Sequence, residues 1–470
     1  MLQPVMKAEK NIISMFMHRK RLIEVGIITL IFITAFYVYE VKEFSTPLLF
    51  GIDGPYYYVQ VSSLLSSGSL KYPDPPLAFY ILAFFSIVSN DVFIGVKVGS
   101  IFITLLALYA IYYLVKEITN PIGGLAACLF YAFSPALIRM SFDLIKNAMG
   151  LAFLSFTLLF LYLAISRRKM TYSMLASIFV VLTGLTHILD FMVIYMILLI
   201  VFAMCIRIKS IVKYVAIPFI SGTFILLLGF MIYSLMGGDP YRIISFINSI
   251  LHTREPITSI SMLLKGNIIL PILVGVSGII LSVRMRDIAG KYIVLALSII
   301  LILLNLPFIP HQYLWRFNLM IAILLPLILG IIIGHINDMR YGILVSMVIL
   351  GFMLPQFISQ YDFLRPSISL EEYNELKQLA SIIPDNVFLV VPDVRLKYWV
   401  ETLVQNVVKT PRDIPIGCQA ILIFEKRPLD LKKPTHIIRQ LKPPPRAKLL
   451  FSGEFIEAYI LPPKPPIPRI

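Results

Sequence analysis

Charge is what this sequence has least of. Of its 470 residues, 14% are Asp, Glu, Lys or Arg, 58% are hydrophobic, and mean hydropathy is +0.86. A soluble domain carries about 25% charged residues. So apolar a chain of this length reads as a polytopic membrane protein. Cysteine is nearly absent. Cys128, Cys205 and Cys418 show no metal-binding spacing, and two of them lie in or beside hydrophobic stretches, which argues against a disulfide framework. There is no P-loop, no G-x-S-x-G, no H-E-x-x-H and no cysteine metal pair. Charges are scarce in the middle of the hydrophobic runs, which argues against ion-coupled transport or a proton pump. No internal repeat is visible, which weighs against transporters built from repeated halves. The net charge is +15, yet no basic, aromatic-interleaved soluble module accompanies it, so nucleic acid is disfavoured as a partner. In a membrane chain, Lys and Arg mark cytoplasmic loops and meet anionic headgroups.

Hydrophobic runs of spanning length occur at about 22–39, 92–115, 121–138, 148–166, 172–190, 191–206, 212–236, 267–283, 291–309, 318–334 and 341–358. The basic N-terminal stretch 1–21 followed by the first run looks like a signal peptide. The run is long and no small-residue cleavage site follows it, so a retained first helix is expected. A shorter run covers 77–90, a length that suits a re-entrant or interfacial segment. The basic clusters decide its status. With His18-Arg19-Lys20-Arg21 in the cytoplasm, a spanning 77–90 sends Arg167-Arg168-Lys169, Arg207/Lys209/Lys213 and Arg284/Arg286 outside. A non-spanning 77–90 keeps all three inside, together with Lys116 and Arg340. The expected fold is therefore an all-α polytopic membrane protein of about eleven spans, with 77–90 at the outer surface. The cytoplasmic segment is 1–21, and the membrane domain is 22–360 with long outer loops at 40–91 and 237–266. Residues 361–470 have ordinary polarity and form a small extracytoplasmic α/β domain. SISLEEYNELKQLASII reads as a helix capped by Ser369 with Glu372 three residues on. VFLVVPD, AILIFEK and AKLLFSGEFIEAYIL read as strands, and LPPKPPIPRI as an extended tail.

The remaining polar residues then fall on the outer face, each with two readings. Asp53, in Gly51-Ile52-Asp53-Gly54-Pro55, is either a carboxylate placed to deprotonate an acceptor or hold a metal, or a turn aspartate capping the next helix. Tyr56 and Tyr57 follow it. Arg139, Asp143, Lys146 and Asn147 share one face if their stretch is helical; they form a site, or a self-neutralising set at headgroup level. His187 and Asp190, three apart, reach one ion or acceptor, or are ordinary interfacial residues. His311-Gln312-Tyr313-Leu314-Trp315-Arg316 offers Arg316 to a phosphate, or offers aromatic anchors with a snorkelling arginine. In 237–266 an apolar stripe (Ile243, Phe246, Ile247, Ile250, Leu251) suggests an amphipathic surface helix.

In order along the chain, GIDGPYYYVQVSSLLSSG, YPDPPLAFYIL, NPIGGLAACLFYAFSP, RMSFDLIKN, GLTHILD and a late outer arginine are similar to the GT-C class of membrane glycosyltransferases. That class includes protein O-mannosyltransferases, aminoarabinose transferases and oligosaccharyltransferase catalytic subunits. The likeness covers roughly 20–320, and the tail matches only in placement. It implies sugar transfer from a polyprenyl or dolichyl phosphate donor on the non-cytoplasmic face, usually with inversion. By position, Asp53 resembles the first-loop catalytic aspartate and Asp143 the second acidic site. Arg316 resembles the late arginine on the donor phosphate. Lys146 and Arg139 are further phosphate candidates, and His187 and Asp190 candidates for metal or acceptor contact; His311 belongs to the same loop as Arg316. The tail has Tyr398-Trp399-Val400-Glu401 where oligosaccharyltransferases carry Trp-Trp-Asp, which disfavours en bloc oligosaccharide transfer. Lys146 beside Asp143 argues against an obligatory divalent metal (Mg or Mn), so no cofactor is assigned. Expected partners are a polyprenyl-phosphate-linked sugar, membrane lipids, and an acceptor protein, lipid or glycan. The rival readings are a lipid-linked glycan flippase and a glycan ligase or polymerase of another membrane fold.

Overall fold

Apolar runs without breakers become helices, and prolines and caps set their ends. The computed structural model describes residues 2–235, 269–306, 309, 311–384, 386–415, 417–426 and 447–462, with side chains from residue 22 onward except at 230, 232–235 and 311–313. The stripe expected in 237–266 and the proline-rich end lie outside the described residues. The helices are α1 (Leu2–Glu43), α2 (Gly54–Ser67), α3 (Leu77–Ser89), α4 (Val92–Ile118), α5 (Pro121–Ala132), α6 (Pro135–Asp143) and α7 (Ile145–Arg167). Then come α8 (Met170–Thr186), α9 (Ile188–Cys205), α10 (Lys209–Leu235), α11 (Ile269–Arg284), α12 (Ile288–Leu303), α13 (His311–Asn318), α14 (Ile321–Gly334) and α15 (Met339–Phe363). The tail adds α16 (Leu370–Ile382) and α17 (Val394–Glu401) with five strands. By length and composition six helices are able to cross a membrane, or seven if α5 and α6, bent by 49°, are one span. The protein is thus a multi-pass membrane protein; α8, α11, α12 and α14 are apolar but shorter.

The chain divides into two compact units: 1–44, 73–78 and 98–363, and 45–72, 79–97 and 364–470. In the first unit α7 is central, with 83% of its most apolar stretch buried, whereas α15, at 11%, turns its surface outward. Exposed Phe352, Val283 and Leu227 suit lipid rather than water. At the start of α5, Asn120 accepts hydrogen bonds from the Ile122 and Gly123 amides at 3.0 Å, and Pro121 costs nothing at the first helical position. The small residues Gly123 and Ala127 let α5 approach Gly330 and Gly334 of α14 closely.

Helix direction follows from contacts. Lys116 pairs with Glu24, Thr29 Oγ1 lies 3.0 Å from the Tyr109 hydroxyl, and Phe32 meets Phe102 edge-on at 5.7 Å. Hence α1 and α4 are antiparallel, and the chain leaving α1 re-enters α4 at the same end. Arg167 bonds Glu117 at 3.0 Å, the Asn120 amide donates to the Gly334 carbonyl at 2.6 Å, and Gly290 sits against Ile118. One end of this unit therefore collects Lys116, Arg167-Arg168-Lys169, Arg284/Arg286 and Arg340. Tyr39 against Phe357 at 6.1 Å and Lys42 over Tyr361 at 5.1 Å put the exit of α15 at the opposite end, beside the exit of α1.

The second unit is built on a sheet of order β2-β1-β3-β5-β4, with β1 (Phe388–Val390) parallel to β2 (Val407–Val408) and β3 (Ala420–Glu425). β5 (Ile456–Leu461) is antiparallel to β3 and to β4 (Lys448–Ser452). Ser369 caps α16, accepting from the Glu372 amide at 3.1 Å. The single strand expected over AKLLFSGEFIEAYIL is instead a hairpin, because Gly453 and Glu454 turn the chain between β4 and β5. Two-residue β2 gives no sequence signal of its own.

Candidate active site

Gly51 has φ +70°, a conformation that side chains disfavour, and its amide donates to the Arg365 carbonyl at 3.2 Å. This turn delivers Asp53 to the N-cap position of α2. The carboxylate makes no capping hydrogen bond, and the Asp53 carbonyl accepts from the Tyr57 amide at 3.2 Å. The cap position is occupied, but its usual chemistry is not. Half-buried Tyr56 touches Tyr72 at 6.0 Å and Tyr398 at 5.2 Å, whereas Tyr57 is buried against Phe79. Burial, then the Glu401 carboxylate, raises the Tyr72 phenol pKa above its ordinary value.

The other candidates belong to the first unit. The stretch expected to be one helical face is broken: α6 ends at Asp143, Leu144 has φ −118° and ψ 55°, and α7 begins at Ile145. Arg139 and Asp143 thus lie on α6, and Lys146 and Asn147 on the first turn of α7. Lys146 forms an ion pair with Asp74, a residue the sequence reading passed over although YPDPP flags it with prolines. Lys146 thus has an acidic partner from outside the set of Arg139, Asp143 and Asn147. Arg139 and exposed Arg316 both lie against the Trp315 ring, at 5.6 and 5.2 Å, on α13 and opposite it. The side chains of His311 and Tyr313 lie outside the described residues.

The run read as 172–190 breaks at His187, which ends α8 and precedes α9 in extended conformation. His187 Nδ1 lies 3.0 Å from Asp190 Oδ2, and the Asn147 amide donates to Asp190 Oδ1 at 3.3 Å. Asp190 is fully buried. It reaches α7 only because residue 150 is glycine: a Cβ there would stand 2.1 Å from Asp190 Oδ2. Among the described residues no group of three or more His, Cys, Asp or Glu stands together to hold a metal ion. His187 Nδ1 meets Asp190, an arrangement that orients the imidazole ring.

Three comparisons bear on this geometry. Residues 73–233, roughly a third of the chain, match the family model of dolichyl-phosphate-mannose-protein mannosyltransferases. No curated protein matches by sequence. By structure the chain is similar to the Archaeoglobus fulgidus oligosaccharyltransferase in the apo form, with TM-score 0.61 and 12% identity, covering 85% of this chain and 69% of that one. It is similar to ArnT from Cupriavidus metallidurans bound to undecaprenyl phosphate, with TM-score 0.58 and 12% identity, covering 93% and 98%. The chain shares the fold of these membrane glycosyltransferases. A third similar structure is AglB from Archaeoglobus fulgidus with an inhibitory peptide and a dolichol-phosphate, at TM-score 0.57 and 13% identity, covering 82% of this chain and 64% of that one. The chain thus spans less than two thirds of that protein's length. Its Trp399, in the place compared with Trp-Trp-Asp, is fully buried and donates to Ser367 Oγ at 2.9 Å. It is a core residue.

Proposed function

We propose that this protein is a GT-C membrane glycosyltransferase that transfers a sugar from a polyprenyl (dolichyl) phosphate donor to an acceptor, with inversion, on the extracytoplasmic face. The observation that carries this reading is the gathering of Arg139, Asp143, Lys146, His187 and Arg316 at one end of the first unit. The basic loops collect at the other end. Related structures hold dolichol-phosphate or undecaprenyl phosphate. By the positive-inside rule the basic end is cytoplasmic, giving eleven crossings, a cytoplasmic N-terminus and an extracytoplasmic tail.

In the reaction, the Asp53 carboxylate takes the proton of the acceptor nucleophile as that atom bonds to the anomeric carbon. The bond from that carbon to the phosphate oxygen breaks, and polyprenyl phosphate leaves with the electron pair. Arg316, with Arg139 and Lys146, stabilises the charge that develops on the phosphate. Asp143 orients the acceptor or sugar. No step is routed through a metal.

The test is incubation of purified protein with radiolabelled polyprenyl-phosphate sugars and a panel of protein, lipid and glycan acceptors. Labelled product from wild type, none from Asp53→Asn, and equal melting of the two is the expected result. Normal turnover by Asp53→Asn would remove the assignment.

A further inference from the structure

The segment that carries Asp53 is attached at two points to the C-terminal part of the chain, and both attachments converge on α17. The first lies two residues before Asp53. The Gly51 amide donates to the Arg365 carbonyl at 3.2 Å, and Gly51 forms an isolated bridge with Pro366. That 365–367 segment is itself held by α17: Trp399 Nε1 donates to Ser367 Oγ at 2.9 Å and Arg395 donates to the Ser367 carbonyl. The second attachment lies on α2, the helix that Asp53 begins. Buried Gln60 clasps the backbone of Tyr72, donating to its carbonyl and accepting from its amide, both at 2.9 Å. The Tyr72 hydroxyl in turn donates to Glu401 Oε1 at the end of α17. Lys71 and Lys397 meet the same oxygen at 3.1 and 3.4 Å, and Lys397 also donates to the Tyr72 hydroxyl at 2.7 Å. The Glu401 side chain is fully buried. Such a charge is costly to bury unless it is paired, so the network exists with several cationic and hydroxyl partners or not at all.

We infer that α17 sets the position of Asp53, with Glu401 and Tyr72 as positioning residues for sugar transfer. The inference rests on the reading of Asp53 as the proton acceptor. A small displacement of a reacting group is enough to cost on the order of a hundredfold in rate. Loss of one tether is therefore read in turnover and not in donor binding.

Two near-isosteric changes test it. Glu401→Gln keeps an acceptor for the Tyr72 hydroxyl but removes the ion pairs, and Tyr72→Phe removes a single oxygen. Each lowers kcat about tenfold while the KM for the lipid donor stays within about twofold. The double variant falls little further than the worse single one, since both act through one link. Melting temperature and cleavage of the 45–72 segment by added protease are measured alongside. Faster cleavage in that segment with an unchanged global melt is expected. If Asp53→Asn is inactive while Glu401→Gln and Tyr72→Phe keep wild-type kcat, this inference falls and the functional reading stands. If Asp53→Asn turns over normally, the functional reading falls first. A change confined to KM, or additive losses in the double variant, also overturns the positioning role.

Discussion

The polar groups of the two units are spent in opposite ways. At the end of the first unit they are few and joined in short local sets, such as Lys146 with Asp74 and His187 with Asp190 and Asn147. In the second unit they form one extended net, in which Tyr72, Lys71 and Lys397 share Glu401. The contrast follows from surroundings. Next to apolar spans each ionisable group must be neutralised at short range, because lipid offers no solvent. A domain of ordinary polarity permits half-exposed lysines and tyrosines to link segments far apart in sequence. The first arrangement fixes single side chains, and the second fixes a stretch of backbone.

The largest test of this contrast is Asp53→Asn, which removes the proposed general base from the netted unit. Its transfer rate drops by about 10²–10⁴-fold, measured with labelled donor, and its melting temperature is unchanged. Next is Arg316→Ala, on the side of local sets. It costs roughly 10²–10³-fold in turnover and leaves thermal stability as in wild type, because the guanidinium is exposed and rests against the Trp315 ring. Smaller is Gly150→Ala. The added methyl collides with Asp190, and the helix pair loses about 1–3 kcal/mol, read as a lower melting temperature. Turnover falls as His187 loses its orientation. A glycine-to-alanine change of this sign inside a helix reverses the ordinary propensity gain, so a stabilised variant would show that the contact is not made. The smallest effect is a pH dependence of the tail. Burial, then repulsion from Glu425, raises the Glu372 pKa to about 8, opposed by Arg395. A carboxyl raised above its unfolded value gives full stability below the unfolded pKa and loses it as pH rises through the folded one. The tail is therefore firmer at pH 5 than at pH 8.5, and Glu372→Gln flattens that difference. With Trp315→Phe in the background, Trp399 is the sole tryptophan and reports the transition by fluorescence.

Much of this was legible in the sequence. Apolar length and the basic clusters predicted the helices and grouped Lys116, Arg167, Arg284 and Arg340 at one end, because the membrane imposes a local rule on each loop. Ser369 announced its helix for an equally local reason. The breaks at Leu144 and His187 were not legible. Neither residue is a helix breaker, and tertiary contacts such as Lys146 with Asp74 decide there. The cap position of Asp53 was foreseen, but not that its carboxylate leaves capping unused. Least legible was the link from 45–72 to α17, since Tyr72 and Glu401 stand 329 positions apart and neither carries a motif.

That separation has a bearing on biosynthesis. A chain emerging from the ribosome completes α1 and exposes the Asp53 turn early, but Glu401 is made only after α15, the last apolar helix among the described residues. Until then the turn lacks its links to 365–367 and α17, so the proposed role of Asp53 predicts that a polypeptide truncated before Arg365 inserts without transferring sugar.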